Sequence, residues 1–276
     1  MNRALRFAAL GDSLSEGVGD RVEGGWRGWA ALLAPALADA RRGVEFRNFA
    51  VSGAQTREVH MEQLPRAVAF SPDVVSVLVG VNDTLRYTFD IRAVASRLDA
   101  VYAEFAGRGA VLLTACLPDP GTMLGLPSAL GRPLARRQRS VNTVVHALSE
   151  RYGAVHVHVA GEAWAADRGM WSADRLHPGE LGHRMLAARF HARLVEQGLA
   201  VGGAPSVEVD GMPSRSAGVL WLATAGTGWV VRRCTDLVPQ LVGLAVEEVR
   251  HRLAGTSVVL DVRAARATAS AVAGVL

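Results

Sequence analysis

An α/β fold on a five-stranded parallel sheet, helices covering both faces, is predicted by three features of the sequence. Short apolar runs rich in Val, Leu and Ala recur, uninterrupted enough to be strands buried on both sides. Segments with helical apolar periodicity alternate with them. Gly, Pro, Ser and Asp punctuate the junctions. The chain has 276 residues, half of them apolar, which is enough for one large domain with an appendage.

Residues 5–11 read as the first strand, followed by a loop with Gly17, Gly19, Gly24 and Gly25 and a helix over 26–40. The second strand spans 44–50, and a helix over 56–69 stops at Ser71-Pro72-Asp73. Val74–Val79 is a third, wholly apolar strand. A helix over 90–108, a strand over 110–115, a helix over 134–151, a strand over 154–159 and a helix over 179–197 complete the alternation. After Gln197 the run Gly-Leu-Ala-Val-Gly-Gly-Ala-Pro-Ser has linker composition. The chain therefore divides into residues 1–199 and an appendage over 200–276, in which an amphipathic helix over 229–253 is kinked at Pro239. Packing of that helix on the main domain accounts better for its mixed-charge polar face than docking on a membrane does.

Composition narrows the function. All thirty basic residues are arginine, so lysine chemistry (a Walker A phosphate clamp, a Schiff base, a lysine base) is unavailable. A net charge of +4 with scattered arginines does not make a nucleic-acid footprint. Cys116 and Cys234 lie far apart without metal spacing, compatible with a reducing compartment. Met1–Arg6 leads straight into the first strand without an apolar leader, so a cytoplasmic location is expected. The longest uncharged apolar stretch, Ser216 to Val231, is 16 residues with three glycines and three hydroxylic residues, too short to span a bilayer.

Polar residues cluster at four junctions: Ser13 after the first strand, Gly53 after the second, Asn82 after the third, and Asp174-Arg175-Leu176-His177-Pro178 before the last helix of the alternation. In a parallel sheet all four lie at the carboxyl edge, where ligands bind. Acyl transfer needs such a set. Ser13 supplies a hydroxyl, His177 a base near neutral pH, and Asp174 an acceptor for the second imidazole nitrogen. The N–H groups of Ser13 and Gly53 and the amide of Asn82 supply oxyanion donors. Taken singly, each has a plainer reading: Ser13 a helix N-cap, Asp174 a turn cap, His177 a surface residue, Asn82 an αL residue, Gly53 loop punctuation. Their joint order favours the chemical one.

The blocks Gly11-Asp12-Ser13-Leu14-Ser15, Asn48-Phe49-Ala50-Val51-Ser52-Gly53-Ala54, Gly80-Val81-Asn82-Asp83 and Asp174-Arg175-Leu176-His177-Pro178 resemble those of the SGNH, or GDSL, hydrolase superfamily. The resemblance covers about residues 5 to 195 and implies a doubly wound, flavodoxin-like three-layer α/β/α sandwich with five parallel strands, extended here by a helical C-terminal region. It also implies Ser13 as nucleophile, His177 as base, Asp174 as its orienter, and Ser13, Gly53 and Asn82 as oxyanion donors. The function implied is cleavage of small-molecule carboxylic esters without a cofactor. A thioesterase or an O-acyltransferase would share the machinery; a binding module on an inactive hydrolase fold is the other alternative, against which the intact set of Ser13, Asp174 and His177 argues. Two weaker signals remain. His156 and His158 share one face of a strand, but no third ligand is evident, so no metal is expected. Residues 119–133, with Met123, Leu124, Leu126 and Leu130, read as a loop able to wall an acyl group.

Overall fold

The structure is a computed structural model, and it describes residues 3–38, 42–161, 163–208 and 241–276. Five parallel strands, β1 (Leu5–Gly11), β2 (Val44–Asn48), β3 (Val74–Leu78), β4 (Val111–Cys116) and β5 (Val155–His158), form one sheet in the order β2-β1-β3-β4-β5. Phe7 pairs with Phe46 on one side and Val74 on the other, so β1 is an interior strand and the order reverses between β1 and β3. Such a reversal opens a crevice at the strands' carboxyl ends. Ser13 and Asn82 follow the two strands that flank it.

Among the described residues the longer helices are α1 (Gly28–Leu33), α2 (Leu64–Phe70), α3 (Ile91–Gly107), α4 (Ser128–Arg151), α5 (Glu180–Glu196), α6 (241–253) and α7 (Ser257–Val275). Alternate residues of β1 feed two cores. Phe7 and Ala9 pack with Trp29 of α1 and Phe190 of α5, whereas Ala8 and Leu10 pack with α3 and α4. Trp29 and Phe190 are stacked with centroids 4.7 Å apart. In α3, Asp90 caps the first turn and Ile91, Val94, Ala95, Leu98, Val101, Tyr102 and Phe105 are buried, the spacing of one helical stripe.

Three differences from the sequence reading have local causes. The helix expected over 26–40 is α over Gly28–Leu33 and 3-10 over Ala34–Leu37, with Pro35 in its first turn, and 39–41 lie outside the described residues. The segment 119–133 is largely helical rather than a loop: a turn over Pro120–Met123 packs on the start of α4, which begins at Ser128 and absorbs Pro133. A Cβ on Gly121 would lie 2.8 Å from the Gly131 Cα, so glycine at 121 permits the close approach. Between 56 and 70 the helix widens to a π-turn at Val59–Gln63.

The C-terminal region packs on the sheet domain. Ala271 of α7 is buried against α3 and α4, and Leu244 of α6 joins Leu85 and Leu134. Arg136 of α4 reaches the buried Glu248 at 3.0 Å and Asp261 at 2.7 Å, tying all three helices together. α7 was not foreseen, because its apolar residues surround the helix instead of forming a stripe. Residues 216–231, Cys234 and Pro239 lie outside the described residues. Among the described residues no helix is long and apolar enough to cross a membrane.

Candidate active site

The end of β1 is held from beneath. Gly11 has φ +140°, and a Cβ there would stand 2.1 Å from the Leu78 carbonyl oxygen. The side chain of the buried Gln63, positioned by the π-turn, accepts from Gly11 N–H at 2.8 Å and donates to its carbonyl at 2.8 Å. Asp12 then caps the turn Ser13–Glu16 by accepting from Leu14 N–H at 3.1 Å. Ser13 is therefore not the cap. It is the first helical residue, where backbone N–H groups have no partner inside the helix, and its hydroxyl is left for another group.

That group is His177. Its Nε2 lies 2.7 Å from Ser13 Oγ, and its Nδ1 lies 2.6 Å from Asp174 Oδ2. The other carboxylate oxygen of Asp174 accepts from the backbone of Leu176 and His177, each at 3.0 Å, and from the Ser172 hydroxyl at 2.6 Å. Burial would raise the Asp174 carboxyl, but the hydrogen bond and charge of His177, joined by Ser172, hold it at about 2. An ionised carboxylate only accepts, so Nδ1 donates and Nε2 turns its lone pair to the Ser13 O–H.

Residues 164 positions apart meet because two loops interlock. A Cβ on Gly19 would stand 1.9 Å from the Pro178 carbonyl oxygen, so the loop after Ser13 lies directly on the His177 turn. Arg27 makes two 2.9 Å bonds to the buried Asp20 and one of 3.0 Å to Glu180 at the start of α5. The fully buried His183 accepts from Trp29 N–H at 3.2 Å and donates to the Val18 carbonyl at 3.0 Å. None of these positioning residues carries a sequence signal of its own, since each acts on a partner distant in the chain.

The remaining blocks converge on the same edge. Asn82 Nδ2 donates to Asp12 Oδ2 at 3.2 Å and to the Ala54 carbonyl at 3.1 Å, which ties in the turn holding Gly53 (φ +86°). That turn is also clamped to the Ser13 turn, since Asn48 Nδ2 donates to the Ser15 carbonyl at 2.7 Å and Ser52 N–H to Glu16 at 2.7 Å. Asp83 faces away and accepts from the Thr56 backbone at 3.0 Å and its hydroxyl at 2.7 Å. Burial pushes the Asp83 carboxyl up to about 6 against the pull of Thr56. The folded chain thus holds this proton more tightly than the unfolded one, whose ordinary value is 3.8. The stability it supplies is complete below about pH 4 and lost as pH rises through about 6. Asp83→Asn is expected to flatten that decline, read as unfolding free energy in urea at stepped pH. An unchanged slope would assign the effect elsewhere.

A cleft opens beside Ser13, walled by Leu14, Val81, Leu117, Met123, Val159 and Leu186. Of the segment expected to wall an acyl group, Met123 does so, whereas Leu126 packs under α6. The cleft is open to solvent, and the space within it is about 50 Å³.

The sequence model of the GDSL-like lipase/acylhydrolase family matches residues 9–185. No curated protein matches the chain. Among solved structures, the acetylxylan esterase Axe2 of Geobacillus stearothermophilus aligns with a TM-score of 0.57 at 19% identity, over 70% of this chain and 95% of its own. LAE5, an alpha/beta hydrolase enzyme from the metagenome of Lake Arreo, Spain, aligns with a TM-score of 0.56 at 21% identity, over 70% of this chain and 96% of its own. At such identities the likeness is one of fold.

Proposed function

Because the chain belongs to the GDSL-like lipase/acylhydrolase family, and is with it a carboxylic ester hydrolase, we propose that Ser13, His177 and Asp174 are its catalytic triad and that it acts on esters of short acyl groups. The unbroken path from the Asp174 carboxylate through His177 to Ser13 Oγ carries this reading. Catalytic variants of Axe2 replace one serine, one aspartate and one histidine, the same three residue types.

In the proposed reaction Ser13 Oγ attacks the ester carbonyl carbon while His177 Nε2 takes the hydroxyl proton. Asp174 remains ionised and stabilises the imidazolium. The oxyanion accepts from the N–H groups of Ser13 and Gly53 and from Asn82, which exchanges its 3.2 Å bond to Asp12 for a charge-assisted one. The tetrahedral adduct collapses with loss of the alcohol, which receives the proton from His177. Water, deprotonated by the same imidazole, then attacks the acyl-Ser13 and releases the acid.

The short acyl group follows from the cleft. A water needs about 10–15 Å³ of such volume, so 50 Å³ admits only a few heavy atoms. An acetyl group fills that space, as it would in an acetylxylan esterase, whereas most of an octanoyl chain would lie outside it in the open mouth of the cleft. Ser13→Ala is expected to reduce p-nitrophenyl acetate hydrolysis by about 10³-fold or more with folding intact. The parent is expected to prefer acetate over octanoate esters by kcat/KM. Parent-level turnover by Ser13→Ala would remove Ser13 as nucleophile, and a preference for octanoate would remove the short-acyl assignment. An alcohol acceptor added to the assay separates hydrolysis from acyl transfer by its products.

A further inference from the structure

Behind the cleft, on the sheet face that α4 covers, β4 and β5 bring together side chains the ester chemistry does not use. Thr114 pairs with His156 and Cys116 with His158 in the parallel register. Leu113, Ala115, Val155 and Val157 face the opposite core, so these four residues point towards α4. The ligating atoms of Cys116, His156 and His158 all lie within 4.8 Å of one another. His146 of α4 stands over both imidazoles, with ring centroids 5.4 Å from His156 and 5.2 Å from His158. The sequence showed the two strand histidines without a third ligand. Cys116, 40 residues before His156, supplies it.

A hydrogen-bond relay sets the tautomer of His156. Ser149 Oγ donates its one proton to the Val145 carbonyl at 2.5 Å, so Thr114 Oγ1 donates to Ser149 Oγ at 2.7 Å. The His156 Nδ1 must then donate to Thr114 Oγ1, at 2.9 Å. Nε2 is left with its lone pair facing Cys116 Sγ at 3.2 Å. An imidazole anchored through one N–H with the other nitrogen free is how proteins orient a metal-binding histidine.

We propose that Cys116, His156 and His158 bind a divalent transition-metal ion, with His146 placed to provide the fourth ligand, and that the ion is zinc. A thiolate with imidazoles is a borderline-soft donor set suited to tetrahedral zinc. Bond lengths of about 2.0 Å to nitrogen and 2.3 Å to sulfur put tetrahedral ligands about 3.3–3.7 Å apart. The Cys116–His156 pair is already that close, and the exposed His158 and His146 close the remainder by side-chain rotation. Binding releases the Cys116 thiol proton to solvent. Leu117 and Val159, each next to a ligand residue, line the Ser13 cleft, so the ion fixes the cleft's rear wall and takes no part in acyl transfer.

The test uses the full chain, stripped with a chelator, kept reduced, and titrated with Co²⁺. The expected result is one equivalent bound, with a near-ultraviolet thiolate-to-cobalt charge-transfer band that one equivalent of Zn²⁺ abolishes. Cys116→Ser is expected to lose the band, Cys234→Ser to keep it, and His158→Asn to weaken binding about tenfold or more. Should Cys116→Ser fail to fold, the surface double variant His146→Asn/His158→Asn tests the same site. Zn²⁺ should also raise the Tm of the parent and not of that double variant. Absence of the band at saturating Co²⁺, or its persistence in the ligand variants, would reduce the cluster to a hydrogen-bonded packing network.

Discussion

Asp174→Asn is expected to lower kcat for p-nitrophenyl acetate by about 10⁴-fold while leaving the turn folded. The two carboxylate oxygens have separate tasks. Oδ1 accepts from Ser172, Leu176 and His177 and holds the turn, while Oδ2 faces His177 Nδ1 at 2.6 Å. An asparagine keeps an oxygen for the first task and places an NH₂ at the second. That NH₂ can only donate, so Nδ1 gives up its proton and Nε2 becomes protonated towards Ser13. The base then has no lone pair for the hydroxyl. Asp174→Ala should differ in kind, since it also leaves three donors of the turn without an acceptor, a loss of about 2–4 kcal/mol in stability. Activity in Asp174→Asn above a tenth of the parent's, at unchanged Tm, would mean that the tautomer of His177 is set by another group.

Gly19→Ala should combine the largest loss of stability with a loss of activity, although residue 19 need never touch substrate. Its φ of +105° is strained for any residue with a Cβ, and that atom would stand 1.9 Å from the Pro178 carbonyl oxygen. Backbone strain contributes about 1–3 kcal/mol, and overpacking typically about 1–3 kcal/mol more. Relief comes by moving the loop after Ser13 away from the His177 turn, and a displacement of 1 Å at reacting groups costs about 10²-fold in rate. Gly24→Ala is the control, because a Cβ there meets nothing within 4 Å. Thermal unfolding and kcat of the two variants side by side distinguish the interlock from a general glycine effect. Equal behaviour of the two would overturn it.

How far the sequence carries depends on how local each feature is. β1 lies where its apolar run lies, and α3 where its single stripe predicts, because burial on both faces or on one stripe leaves a periodicity in the chain. The convergence of Ser13, Asp174, His177 and Asn82 was legible for a related reason: each sits in a short block at a strand end or before a helix, and the alternation of elements brings those ends to one edge. The start of α4 is hidden in the sequence because Pro133 reads as a break, and α7 leaves no stripe because its burial is set by α3 and α4 and not by its own pattern.

The sequence alone thus determined the alternation of strands and helices, the parallel sheet and the residue types gathered at its carboxyl edge, all consequences of short-range apolar periodicity and turn chemistry. Tertiary structure decided what no local window holds. Gln63 bonds Gly11 across 52 residues, Gly19 fits under Pro178, and Cys116 completes a ligand set with His156 across 40. These contacts depend on distances of a few ångströms between segments that only packing brings together.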